Sequence, residues 1–178
     1  RHGLRALLDE LDLNKRTLTA QDVAIRFAPK LNALSRMELG VKPIDIFQAP
    51  TRAQATQLMT AVFANNATRV SLQEEGEVEA LLQWERWEEK DFFVATSDKF
   101  HRGVVGLIAT RVVQEKNIPV FIGALNEDGT ITGSARMPQG RVDSLLEAMA
   151  RCEKLFNRFG GHDMAAGFEF HQSKLPEI

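Results

Sequence analysis

The stretch Phe159-Gly160-Gly161-His162-Asp163-Met164-Ala165-Ala166-Gly167 has the composition of a small anion cradle. Gly160 and Gly161 accept backbone angles that a Cβ resists, so their successive N–H groups can turn toward one phosphate without a metal. His162 adds a donor at the same place, and Ala165, Ala166 and Gly167 leave room for a close-lying backbone or ligand. A tight Gly-Gly turn before a packed Ala-Ala-Gly segment is the purely structural alternative. A second segment, Gly133-Ser134-Ala135-Arg136, offers the missing cation. On an extended chain Ser134 and Arg136 share a face, and a hydroxyl beside a forked guanidinium suits a phosphate or carboxylate. The plainer reading of that pair is the polar face of an edge strand.

Three further groups are candidates. His101, in Phe100-His101-Arg102-Gly103, either caps the helix after it or reaches the same anion. Asn32 and Arg36 stand four apart on one helical face, where together they suit a second phosphate or a sugar. Trp84 and Trp87 either pin the end of a helix to its neighbour or stack on bases. Cys152 falls within a helical pattern and reads as a buried, inert thiol; a lone cysteine also excludes an internal disulfide. No Cys/His metal cluster, His-Glu-x-x-His, Asp-x-Asp, Asp-His-His, Walker loop or nucleophile elbow is present in the sequence. The chain can bind phosphate, and no residue set that would hydrolyse it or ligate a metal shows.

Composition narrows the classes. Of 178 residues, 44% are hydrophobic, with no apolar run near the ~18 residues of a membrane span. With no apolar leader at the start, a cytoplasmic protein is expected. A net charge of −2 argues against coating nucleic acid by bulk attraction. Acidic residues crowd between Glu74 and Asp91, while Arg102, Arg111, Arg136, Arg141, Arg151, Lys154 and Arg158 make the C-terminal half locally basic. That distribution suits an anion gripped at few points.

These residues need elements to hold them. Leu4 to Leu13 has helical spacing, and Thr19 is a cap for a helix over Ala20 to Phe27, interrupted by Pro29. Helical pattern resumes from Lys30 to Arg36 and ends near Gly40. Thr51 caps a proline-free helix from Arg52 to about Glu89, ~57 Å if continuous, with Gly76 the place where it would kink or break. A helix that long bridges two bodies. Then come a strand at Phe92–Ala95, a helix over Gly103–Lys116, a strand at Pro119–Ala124 and a turn at Asp128-Gly129 into Thr130–Ala135. A helix over Val142–Phe159 and a strand at Gly167–Phe170 complete a β-α-β-β-α-β order. The fold class is α/β, with a helical N-terminal segment and long connector helix followed by a compact α/β domain.

Three ordered motifs resemble a known family. Phe100-His101-Arg102-Gly103-Val104-Val105-Gly106-Leu107-Ile108-Ala109, Gly133-Ser134-Ala135-Arg136, and Phe159-Gly160-Gly161-His162 through Ala165-Ala166-Gly167 are similar to the DHH-associated C-terminal domain of the RecJ family. That family comprises single-stranded-DNA-specific exonucleases of the DHH phosphoesterase superfamily. Ala28-Pro29-Lys30-Leu31-Asn32-Ala33-Leu34-Ser35-Arg36 is similar to the family's Ala-Pro-Arg-x-Asn-Ala-x-Gly-Arg segment. Lys30 and Ser35 depart from it, and Asn32 and Arg36 remain. The resemblance implies that residues 1–50 are the helical end of a catalytic DHH domain, 51–90 an interdomain connector, and 91–178 the DHH-associated domain.

It also implies a division of labour. Mn²⁺ or Mg²⁺ would be held by aspartates and an Asp-His-His absent from this chain, which alone is expected to be inactive. Arg136, Ser134 and Arg36 would hold a 5′-terminal phosphate, while Gly160, Gly161 and His162 contact the scissile end of the strand; Asn32 and His101 belong to the same substrate- and phosphate-binding set. The implied partners are single-stranded DNA with a free 5′ end, a single-strand-binding protein and a helicase, in DNA repair and recombination. Two other classes compete. One is a phosphoesterase of the same superfamily acting on very short oligonucleotides or nucleoside bisphosphates; it resembles a longer glycine run before the histidine. The other is a non-catalytic nucleic-acid-binding module. An editing domain of alanyl-tRNA synthetase type would bring a Cys/His metal site that this sequence lacks.

Overall fold

The computed structural model describes residues 2–14, 17–37, 40–89, 91–141 and 143–177, in two compact units, Arg1–Ser71 and Leu72–Ile178. In the first, the leucine spacing folds as α1, His2–Glu10. Leu7, Leu11 and Leu13 are buried with Leu34, Ile46, Met59 and Val62, whereas Leu4 stays exposed. Thr19 caps the next helical segment: its Oγ1 accepts from the Asp22 N–H at 3.2 Å, and Asp22 Oδ2 accepts from the Thr19 N–H at 3.1 Å.

Pro29 does not interrupt the helix it was expected to end. A π-helical stretch, Asp22–Phe27, runs directly into α2, Ala28–Met37. Proline has no N–H for the preceding turn and its ring crowds the carbonyl four residues back; a wider turn just before it relieves both. α3, Pro43–Gln48, comes next.

Thr51 Oγ1 accepts from the Gln54 N–H at 3.3 Å and opens α4, Arg52–Trp84, a single helix of 33 residues. It ends before the expected Glu89, and Gly76 does not break it. Gly76 is buried, and a Cβ there would lie 2.4 Å from Ile108 Cδ1. Its missing side chain leaves the space that Ile108 fills. The boundary between the two units falls within this helix.

The second unit is built on a five-stranded sheet of order β1-β2-β3-β5-β4. Its elements are β1 (Phe93–Ser97), α5 (Val105–Lys116), β2 (Val120–Leu125), β3 (Thr130–Arg136), α6 (Leu145–Arg151), β4 (Arg158–His162) and β5 (Ala165–His171). β1 and β2 are parallel; the other neighbouring pairs are antiparallel. The α/β class is as read from the sequence, with one strand more than expected. Asp128-Gly129 makes the β2–β3 turn, with Gly129 at φ +81°. The end of α4 and the turn after it are pinned by two tryptophans. Trp84 meets the Phe93 ring edge-on at 5.3 Å, and Trp87 Nε1 donates to the Phe92 carbonyl at 2.7 Å.

The largest correction concerns residues 142–162. Val142, the expected start of a helix reaching Phe159, lies outside the described residues. α6 opens after Ser144, whose Oγ accepts from the Glu147 N–H at 3.2 Å, and ends at Arg151 before a 3₁₀ turn, Glu153–Leu155. Phe156 and Phe159 imitate a helix face in their spacing. Their rings instead pack 5.5 Å apart, with Phe156 6.2 Å from Phe168 and 6.1 Å from Phe170. The glycine pair is correspondingly a strand, β4, and the turn falls at Asp163-Met164. Glycine is a poor helix former, and pairing with β5 gives its backbone the partners that a helix would have supplied. Cys152 is exposed rather than buried because α6 stops one residue before it. Among the described residues no helix is long and apolar enough to cross a membrane.

Candidate anion-binding site

Strand alternation places Thr132, Ser134 and Arg136 of β3 on one face of the sheet. The opposite face carries Ile131 and Ala135, which are buried with Ala166, Phe168, Phe170, Leu145 and Met149. Register extends the polar face across two more strands. Ser134 pairs with Gly167, which pairs with Gly160; Arg136 pairs with Ala165, which pairs with His162. Paired residues of antiparallel strands point to the same side. Ser134, Arg136 and His162 therefore share one face, with roughly 10 Å, two inter-strand spacings, between the β3 and β4 backbones. Between them the sheet carries only Gly160, Ala165 and Gly167. Gly160, Gly167 and His162 are exposed, and Ser134 and Arg136 half-buried.

This arrangement differs in kind from the cradle expected of the glycine pair. Gly160 and Gly161 lie in β4, paired with Gly167 and Ala166, and offer a bare floor instead of a curled set of N–H groups. Gly161, at φ +151°, has no room for a side chain: a Cβ would lie 2.3 Å from the Ala165 carbonyl oxygen. The floor continues into a shallow cavity of about 330 Å³ lined by Thr132, Gly160, Gly167, Arg158 and Glu169 among others. Arg158 is paired there with Glu169, with Nη2 at 2.5 Å and Nε at 3.0 Å from Oε2.

Arg136 is held from its own strand and from α5. Its Nη1 donates to Ser134 Oγ at 2.6 Å and to the Ala135 carbonyl at 2.8 Å, and its Nε to Thr110 Oγ1 at 3.3 Å. Ser134 Oγ in turn donates to the Ala166 carbonyl at 3.4 Å. Gly106 is the close approach that brings α5 onto this pair. A Cβ on it would stand 2.9 Å from Arg136 Nη2 and 3.3 Å from Ser134 Oγ. The sequence reading singles out neither Gly106 nor Thr110 as part of this site. The available signal was their spacing, four apart on one helical face.

His101 is not brought into this row. Its Nδ1 accepts from the Gly103 N–H at 3.0 Å, a turn-closing role ahead of α5. It lines a separate groove of about 570 Å³ with Asp98, Arg102 and Asn126–Asp128. Asn32, exposed, and Arg36, half-buried, share a face of α2 in the first unit. Among the described residues no grouping of three or more His, Cys, Asp or Glu could hold a metal ion. The donor set of this site fits an anion.

The row lies in a five-stranded mixed sheet whose parallel pair, β1 and β2, is joined through α5. The DHHA1 domain model matches residues 89–178, and the chain belongs to that family. Over its full length it is similar to RecJ single-stranded-DNA-specific exonucleases. It is 29% identical to that of Salmonella typhimurium over 100% of the chain and 32% of the relative. To that of Thermus thermophilus it is 33% identical, over 98% of the chain and 24% of the relative. The crystal structure of Thermus thermophilus RecJ in complex with Mn²⁺ superposes with a TM-score of 0.84, at 31% identity over 98% of this chain and 25% of that one. A structure of exonuclease RecJ bound to manganese gives 0.79, at 30% identity over 98% of this chain and 42% of that one. The chain thus spans about a third or less of these two curated relatives.

Proposed function

We propose that this chain is the substrate-holding part of a RecJ-like 5′→3′ exonuclease acting on single-stranded DNA in repair and recombination. The observation that carries the proposal is the row Arg136–Ala165–His162 beside Ser134–Gly167–Gly160. A guanidinium and hydroxyl stand on one strand, an imidazole two strands away, and the floor between them bears nothing larger than the Ala165 methyl. Similarity to RecJ along the whole chain supports the reading.

In this proposal Arg136 and Ser134 bind the 5′-terminal phosphate, and His162 with the Gly160–Gly161 edge receives the end of the strand. Asn32 and Arg36 contribute a second phosphate contact and His101 an outlying one. Residues 1–50 are the helical end of a DHH domain, 51–90 the connector, and 91–178 the DHH-associated domain. Mn²⁺ or Mg²⁺ belongs to other parts of the whole protein, which works in the cytoplasm alongside a single-strand-binding protein and a helicase. What this chain supplies is positioning. Holding the terminal phosphate fixes the strand end, and such fixation supplies much of the catalysis in phosphoryl chemistry.

The test uses the whole protein with 5′-phosphorylated single strands of tens of nucleotides. Stepwise release of mononucleotides from the 5′ end, absent on blunt duplex, is the expected result. Cleavage confined to very short oligonucleotides would replace the proposal with the short-substrate phosphoesterase. Binding without any turnover in the presence of Mn²⁺ would replace it with a non-catalytic module.

A further inference from the structure

Arg136 is only as useful to an anion as its orientation is fixed, and Thr110 is a contact that fixes it from outside its own strand. A threonine hydroxyl has one hydrogen to give and two lone pairs to offer. Thr110 gives its hydrogen to the Gly106 carbonyl at 2.7 Å, the i−4 bond common for hydroxyls in helices. That bond turns its lone pairs outward, and Arg136 Nε donates to one of them at 3.3 Å. The residue that receives the hydrogen is also the one whose missing Cβ admits the guanidinium, since a Cβ at Gly106 would stand 2.9 Å from Nη2. One turn of α5 thus provides both the space and the acceptor.

We infer that Thr110, oriented by the Gly106 carbonyl, is a positioning residue that holds the Arg136 guanidinium in the plane in which it meets the terminal phosphate. The inference rests on the phosphate-anchoring reading above and adds a residue to it. It makes the helix face an active part of the site: β3 contributes the charge, and α5 sets its direction. Ser134 and the Ala135 carbonyl hold Nη1 from the strand. Thr110 takes Nε, so the planar group is gripped at two of its nitrogens from two different elements. A rigid fork held in this way loses little freedom when it binds an oxyanion.

The test combines a spectroscopic and a binding measurement on the 178-residue chain and on Thr110→Val, Thr110→Ser and Gly106→Ala variants. The Arg136 Nε–H resonance in a ¹⁵N spectrum reports the bond to Thr110. Anisotropy with 5′-phosphorylated and 5′-hydroxyl single strands reports its consequence. Thr110→Val preserves shape and removes the acceptor. It is expected to move the Nε–H resonance toward that of a solvated arginine and to weaken binding of the phosphorylated strand by roughly tenfold, leaving the hydroxyl strand unaffected. Thr110→Ser is expected to restore both readouts, whereas Gly106→Ala, which intrudes on Nη2, reproduces the loss. An Nε–H resonance unchanged in Thr110→Val overturns the inference whatever the DNA does. So does a Thr110→Val chain that moves the resonance and still discriminates the two strands as well as wild type. If the resonance responds as described while the wild-type chain itself does not distinguish the strands, the seat stands and the phosphate-anchoring reading falls.

Discussion

The side-chain amide of Gln83 bonds both backbone groups of Thr96: Nε2 donates to its carbonyl at 3.1 Å, and Oε1 accepts from its N–H at 3.3 Å. β1 is one of the two outer strands of the sheet, and here a glutamine from α4 takes the place of the peptide group a further strand would present. Edge strands are otherwise open to pairing with other chains. Gln83→Leu keeps the bulk and leaves the Thr96 groups unpaired. We expect it to cost about 1–3 kcal/mol in urea unfolding and to accelerate amide exchange at Thr96 specifically. Unaltered exchange there would show that the clasp holds nothing.

Gly161 and Gly160 differ sharply although they are adjacent. At Gly161 a Cβ would lie 2.3 Å from the Ala165 carbonyl oxygen and 2.6 Å from Ala166 Cα, with φ at +151°; at Gly160 it would meet nothing within 4 Å. Gly161→Ala is therefore expected to destabilise the chain by about 1–3 kcal/mol. Gly160→Ala should change stability by less than about 1 kcal/mol. Equal thermal midpoints for the two variants would contradict the strand geometry of β4.

The sequence carried the hairpin at Asp128-Gly129, the two threonine caps and the α/β order because each depends on neighbours in the chain. It hid β4. Phe156 and Phe159 are three apart, so a helix and a folded-back strand predict the same apolar pair, and only contact with Phe168, from a later strand, separates the two. Pro29 misled for a similar reason, because a π-helical turn can absorb a missing donor without ending the helix. The residue types of the candidate row, Ser134, Arg136, Gly160 and His162, are visible in the sequence. Their order across β3, β5 and β4 is not, since it follows from pairing register between segments some thirty residues apart. Thr110 escaped notice because its role depends on which face of α5 meets β3.

Asp128 gives a pH signature. The Thr130 backbone N–H, donating to its Oδ1 at 2.9 Å, holds this carboxyl below its ordinary value. A carboxyl depressed in the folded state contributes stability that is complete above its unfolded value and is lost as pH falls through the folded one. Wild type should accordingly be more stable than Asp128→Asn at neutral pH, and the gap should close as pH drops below about 4. Glu79 moves in the same direction, through hydrogen bonds from Gln83 and then Lys99, and Asp128→Asn leaves that contribution in place. Parallel stability curves for the two proteins across this range would contradict the assignment.

Arg136 separates charge from geometry. Arg136→Ala removes a guanidinium that reaches Ser134, Ala135 and Thr110. On the proposed function it weakens a 5′-phosphorylated strand by about 1.5–3 kcal/mol, the range for a hydrogen bond to a charged group. Arg136→Lys keeps the charge on a single nitrogen that cannot reproduce a planar fork. If charge alone attracted the strand, lysine would restore binding and the loss in the alanine variant would fade steeply with salt. If a fixed, two-pronged contact is what the phosphate needs, lysine binds little better than alanine, and the preference for a 5′-phosphate over a 5′-hydroxyl end disappears in both. Anisotropy titrations with the two strand ends at low and high salt decide between these. Alanine and wild-type proteins of equal affinity for the phosphorylated end would remove Arg136 from the site altogether.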